Sequence, residues 1–183
     1  MATVEETLDD VLYEVVDGQV VEKPPMAAYS GWLASYLLRV LGTFAFERQL
    51  GEVVTETLFR IDRDRNLQRR PDVAFVSTER WPRGQRIPFD APFWDVVPDL
   101  AVEVNSPSNK ERESLKKLRE YFRAGVRRVW AVYPEVALIY VYASPTEVRI
   151  LQRGDVLQDE ELFPGFGLPL DSLFQDSDAP EAP

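Results

Sequence analysis

The stretch PDLAVEVNSPSNKERESLKKLREYFRAGVRRVW, residues 98–130, decides how the rest of the chain is read. It spells a short apolar strand, a turn, an amphipathic helix and the start of a second strand. Alternation sends Leu100, Val102 and Val104 to one face and Asp99, Ala101, Glu103 and Asn105 to the other. The segment is apolar enough to be an interior strand of a covered sheet, yet Glu103 stands in its middle. A carboxylate there is costly unless it is paired, hydrogen-bonded or bound to a metal. Glu103 is therefore the first candidate functional residue.

Downstream of the strand, SPSN makes a turn with Ser108 or Asn109 as helix cap, and a helix is predicted over residues 110–124, stopped by Gly125. Leu115, Leu118, Tyr121 and Phe122 form its apolar stripe. VRRVWAVYP, LIYVYAS and EVRILQ read as three strands, LFPGFGLPLDSLF as a closing loop with a short helical turn, and residues 175–183 as a disordered acidic tail. Upstream, RPDVAFVS is a compact strand opened by Pro71-Asp72, and residues 78–97, with several prolines, are a long ordered loop. Trp81, Phe89, Phe93 and Trp94 on that loop are either an interface or packing beneath it.

Further back, EVVTETLFRI reads as one alternating strand and DRDRNLQRR as a polar turn. A largely buried helix is predicted over residues 31–48, with Ser30 as cap and Gly51 as stop. YEVVDGQVVE is a hairpin turning at Asp17-Gly18 and closed by Pro24-Pro25. The succession implies an α/β fold: a mixed β-sheet core flanked by helices, in a single domain over residues 1–174.

Composition narrows the chemistry. The 183-residue chain has neither cysteine nor histidine. Thiolate sites, cysteine nucleophiles, the serine–histidine–aspartate mechanism and histidine metal ligands are all excluded. A bound metal would be a hard, oxygen-liking cation. The acidic start and the lack of a long apolar run fit a cytoplasmic protein with no membrane contact. A net charge of −10 argues against a protein that coats nucleic acid wholesale. The cations nevertheless cluster: Lys110, Arg112, Lys116, Lys117, Arg119, Arg123, Arg127 and Arg128 in one run, and Arg60, Arg63, Arg65, Arg69 and Arg70 in another. Such runs are either solvated faces or binding surfaces.

Asp72, Glu103 and Lys117 gain meaning together. If their strands are neighbours, the two carboxylates converge, and a divalent cation would remove their repulsion. Lys117 sits at the edge of the helical stripe, from which its stem can carry the ammonium over the sheet. This is equipment for hydrolysing a phosphodiester. Taken singly, Asp72 also reads as a strand-start residue, Glu103 and Lys117 as a buried ion pair, and Glu14 as structural.

RPDVAFVS, PDLAVEVNSPS and KLREYFRAGVRRVWAVYP, in this order, resemble the Uma-type restriction-endonuclease family, with YEVVDGQVVE and LFPGFGLPL fitting at the two ends. The resemblance implies a restriction-endonuclease-like core of the PD-(D/E)xK type with Mg²⁺ or Mn²⁺ at its site. Asp72 would be the aspartate of the PD element and Glu103 the second acidic residue, with the Val104 carbonyl completing the metal ligands. Asn105 stands where the general motif has lysine, and Lys117 would be the displaced lysine. The implied function is an endonuclease acting on nucleic acid, with DNA as the expected partner, Lys110, Arg112 and Lys116 facing the phosphates, and a homodimer by analogy. The alternative is a catalytically inactive member used for binding or regulation, its three residues forming an ion network.

Overall fold

The computed structural model describes residues 11–105 and 111–174. The chain opens with a hairpin of β1 (Tyr13–Val16) and β2 (Gln19–Glu22), turned by Asp17 and Gly18 with positive φ, and continues into helix α1 (Ala28–Arg48). Strands β3 (Gly51–Thr55), β4 (Phe59–Asp62), β5 (Leu67–Arg69), β6 (Val73–Ser77) and β7 (Leu100–Val104) follow, then helix α2 (Glu111–Ala124). The chain closes with β8 (Arg128–Tyr133), β9 (Leu138–Ser144), β10 (Glu147–Leu151), the short pair β11 (Val156–Leu157) and β12 (Leu168–Pro169), and α3 (Leu170–Leu173).

The central sheet has six strands in the order β10-β9-β8-β7-β6-β3. All its neighbours are antiparallel except β7 and β8, the pair joined through α2. A parallel pair needs such a crossover, which explains why an amphipathic helix follows the carboxylate-bearing strand. A smaller sheet, β2-β1-β5-β4, lies apart from it in pairing.

Alternation sorts the central sheet into two faces. Val73, Phe75, Leu100, Val102, Val104, Trp130 and Val132 pack with Leu33, Leu37 and Leu41 of α1 and with Phe163, Phe166 and Leu170 of the closing segment. Ala74, Val76, Ala101 and Val129 pack on the other face, with Leu118 and Tyr121 of α2 and with Phe59, Ile61 and Leu67 of the small sheet. The period-2 reading of β7 is thus what the fold uses. Its odd-numbered residues face α2.

Several local expectations are corrected. Helix α1 starts two residues before its expected cap: Ala27 is the N-cap, and Ser30 is buried inside the first turn. The helix is stopped by Gln49 in the left-handed region at φ 61°. Gly51 instead begins β3, where its φ of +155° and the Val76 carbonyl allow no side chain: a Cβ would lie 2.1 Å from that oxygen. EVVTETLFRI is two strands in different sheets, broken at Glu56 with φ 46°. DRDRNLQRR contains β5, because Leu67 finds the α2-side core. The expected caps Ser108 and Asn109, and the tail after residue 174, lie outside the described residues. Of the loop aromatics, Trp94 is buried and stacked on Phe59, with Trp81 edge-on against it, whereas Phe89 is fully exposed. No described helix is long and apolar enough to cross a membrane.

Candidate active site

The register of β6 and β7 builds the site. Val73 pairs with Val102 and Ala74 with Ala101, so continuing by one residue sets Asp72 opposite Glu103. Both belong to the α2-facing set of side chains, by the same alternation that buries Val73 and Val102 on the far side. Directly opposed like charges on one face destabilise a sheet unless cations compensate them. Here three cationic side chains converge.

Lys117 reaches from α2 to within 2.9 Å of Glu103 and 2.8 Å of Glu14 on β1. Lys23, just after β2, lies 2.7 Å from Asp72 Oδ1 and 2.8 Å from Glu56. Arg69 of β5 is buried, donates to Glu14 Oε2 at 2.6 Å, and uses its other nitrogens on Glu120 of α2. Backbone and hydroxyl donors complete the set. The Val104 amide donates to Asp72 Oδ2 at 2.6 Å, the Arg70 amide to Glu14 Oε1 at 2.9 Å, and the Tyr121 hydroxyl to Glu103 Oε1 at 2.6 Å.

These contacts set the protonation states. Burial raises the Glu14 carboxyl, but Lys117 and Arg69 outweigh it and hold the group at about 2. Glu103 goes the other way: burial raises it, Lys117 opposes, and the neighbouring Asp72 charge raises it again. Burial disfavours the Lys117 ammonium, yet Glu103 and Glu14 together push its pKa above the ordinary lysine value. Lys117 is therefore a fixed ammonium, a donor without a lone pair. Burial and the same two carboxylates raise the Tyr121 phenol well above its usual range.

The group lies in a cleft of about 710 Å³. Tyr133, Tyr140 and Tyr142 of β8 and β9 form another part of its wall, with Tyr133 and Tyr140 ring centroids 4.9 Å apart. Helix α2 adds Ser114 and Leu115. Leu115, expected in the apolar stripe, is 53% exposed there, because the helix first meets the core at Leu118.

Asp72, Glu103 and Lys117 are thus brought together, as their residue types suggested. Val104 contributes its amide to Asp72. Lys110 lies outside the described residues, and Arg112 and Lys116 are exposed on α2 without lining the cleft. Lys116 comes within 3.8 Å of Asp17 and Glu120. The second basic run is largely paired: Arg60 and the exposed Arg63 meet Asp95, Arg65 meets Asp17, and Arg69 is buried in the site. Sequence reasoning undervalued Glu14, although it carries the same signal as Glu103, a charge in an apolar strand. It counted Tyr121 only as an apolar residue. Lys23 was missed.

Comparison with known proteins identifies the family and the fold. A family described as "Putative restriction endonuclease", named Uma2, matches residues 4–171. The chain belongs to the Uma2 family. The crystal structure of a "putative nuclease belonging to DUF820" from Anabaena variabilis superposes with a TM-score of 0.76 at 17% identity, covering 88% of this chain and 89% of that one. The fold is restriction-endonuclease-like. No curated protein matches the chain. Within the Uma2 fold, Asp72, Glu103 and Lys117 all line the cleft.

Proposed function

We propose that this Uma2 protein is a metal-dependent endonuclease that hydrolyses phosphodiester bonds of nucleic acid, with DNA as substrate and Mg²⁺ or Mn²⁺ as cofactor. The observation that carries the reading is the cross-strand opposition of Asp72 and Glu103, on one face of the sheet, in the lining of a cleft. The donor set suits a hard cation, being made of oxygens alone, two carboxylates and a backbone carbonyl. The geometry supports the fit: Asp72 and Glu103 stand opposite each other on one face, where a dication between them would remove their repulsion. Among the described residues no three ligating side chains cluster. Mg²⁺ commonly takes only one or two carboxylates and fills its remaining positions with water and substrate phosphate. Asp72, Glu103 and the Val104 carbonyl would hold the ion, which when bound supplies Lewis-acid polarisation of the scissile phosphate.

The remaining roles belong to the side chains. The Lys117 ammonium donates to the attacking water or to a phosphate oxygen, and its raised pKa keeps the proton on Nζ. Glu14 fixes that ammonium from the small sheet, and Tyr121 fixes Glu103. The tyrosine wall offers faces against which bases can stack. Cutting both strands of a duplex needs two such sites, which a homodimer would provide.

A second reading has an observation of its own. Glu14, Asp72 and Glu103 already have cationic partners, which suits an inactive member retained for binding or regulation. Calorimetry with Mn²⁺ separates the two. The nuclease reading expects binding by the wild type that Asp72→Ala and Glu103→Ala both lose, and DNA cleavage that Lys117→Ala loses while still binding metal. Absence of binding, with no cleavage of any nucleic acid, would favour the inactive member.

A further inference from the structure

Lys23 lines the cleft, and the hydrolytic roles leave it unused. Lys23 has three N–H donors and three acceptors: Asp72 Oδ1 at 2.7 Å, Glu56 Oε2 at 2.8 Å and the Arg70 carbonyl at 3.0 Å. Its side chain is 12% exposed. With every donor taken, the ammonium has none left for a phosphate. Two carboxylate oxygens and a carbonyl around one positive charge are also the kind of shell that a hard cation takes. Besides Asp72, the charges of Glu103 and Lys117 act on the Lys23 ammonium, which places it among the residues of the site.

The supporting element matters as much as the polar shell. Lys23 directly follows β2, all four residues of which are exposed. Its own amide donates to the Leu12 carbonyl at 2.8 Å, extending the hairpin by one bond, and Pro24-Pro25 then leads away to α1. Neither core cluster includes a residue of β2. The ammonium is therefore held tightly by polar partners but carried by an element that can shift without opening the core.

Building on the metal reading above, we propose that Lys23 is an internal counter-ion that occupies the cation position beside Asp72 in the resting protein and is displaced when a divalent ion binds. The Lys23 side chain then withdraws with its charge intact, and Asp72 exchanges an ammonium for the metal. No bond is made or broken in the chain. The consequence is competition: the affinity for Mg²⁺ or Mn²⁺ is set by what the ion must expel as well as by its ligands. A full positive charge within a few ångströms of a dication disfavours it by more than a factor of ten at protein-like screening.

The test is Mn²⁺ calorimetry on the full chain with wild type, Lys23→Met and the double variant Lys23→Met/Asp72→Ala. Lys23→Met keeps the apolar stem and removes only the ammonium, so it is expected to bind Mn²⁺ at least about tenfold more tightly. The double variant is expected to lose that binding. Equal or weaker affinity in Lys23→Met overturns the counter-ion while leaving the metal site standing. Failure of wild type and Lys23→Met alike to bind overturns both. Should Lys23→Met fold poorly, nitrogen-15 spectra of the lysine ammonium groups of the wild type give a second measure, with Lys23 assigned by its loss in Lys23→Arg. The Lys23 signal is expected to move to its solvent position on Mg²⁺ addition, along the calorimetric binding curve. A signal that stays in place while Mg²⁺ binds overturns the proposal.

Discussion

Two glutamates a few ångströms apart hold opposite positions in the energetics of this protein. Glu14 has a folded pKa of about 2 against an ordinary value of 4.5. A folded value below the unfolded one means that the ionised group stabilises the fold above the unfolded pKa, and that this stabilisation is lost as pH falls from there toward the folded pKa. At neutral pH the difference is worth about 3 kcal/mol. Glu14→Gln should therefore lose about that much at pH 7 in denaturant unfolding, and the gap from wild type should narrow at pH 3. Equal stabilities at pH 7 would falsify the assignment. Glu103 has its pKa raised, first by burial, so its ionisation costs stability once pH passes the unfolded value. Glu103→Gln is accordingly expected to be as stable as wild type or more so. A site residue that weakens the fold while a neighbour secures it is the pattern expected where function constrains the choice.

The same scale shows what a sequence can reveal. Glu103 was legible because a charge in an apolar strand contradicts its surroundings. Asp72 was legible only in combination with Glu103 and Lys117, on the condition that the two strands are neighbours, which the register of β6 and β7 meets. Lys23 carried no such contradiction. It lies after an exposed strand, and its three acceptors come from residues 33, 47 and 49 positions away. Only tertiary structure assembles that shell.

At the scale of elements, α2 and the strands around it could be read closely because hydrophobic period, turn residues and Gly125 all agree there. The region from Gly51 to Arg69 could not. Its strands are short, and the break at Glu56 uses positive φ in a residue without a turn signature. Gly51 illustrates how one residue type admits two explanations. Glycine after a helix usually ends it, whereas here glycine is required by the approach of β6, its partner being Ser77. Gly51→Ala places a methyl group against the Val76 carbonyl and holds alanine at φ +155°. A loss of at least about 2 kcal/mol is expected, which in a domain of this size lowers Tm by roughly 4–8 °C. Scanning calorimetry checks it, and an unchanged Tm would show that the strand pair can reseat.

Over the whole molecule, a small set of charges is directed inward: Glu14, Arg69, Asp72, Asp99, Glu120 and Asp159 are buried. Arginines that looked like a basic surface in the sequence neutralise acidic partners between sheet and loop, and Arg69 joins β1, β5 and α2 through Glu14 and Glu120. Removing one partner from such a buried network costs more than its net contribution, because it strands the others. The exposed cations of α2 include Arg112 and Lys116, the latter 3.8 Å from both Asp17 and Glu120. If they meet phosphates, replacing both with alanine should weaken DNA binding at low salt. It should also reduce the slope of log affinity against log salt by roughly 1–2, about 0.9 for each phosphate that is no longer neutralised. An unaltered slope would place the nucleic acid elsewhere.

The connection between β6 and β7 bears on a different question. These strands carry Asp72 and Glu103 as direct neighbours, yet residues 78–99 intervene, returning to the small sheet through Trp94 on Phe59. Strand pairing and the Val104 amide on Asp72 hold the two carboxylates in register, so their spacing does not depend on the length of the excursion. Its tip, where Phe89 is wholly exposed, is a stretch in which a lineage can lengthen, shorten or rewrite the chain without disturbing the chemistry beneath. A new specificity could be tried there while the hydrolytic centre stays as it is.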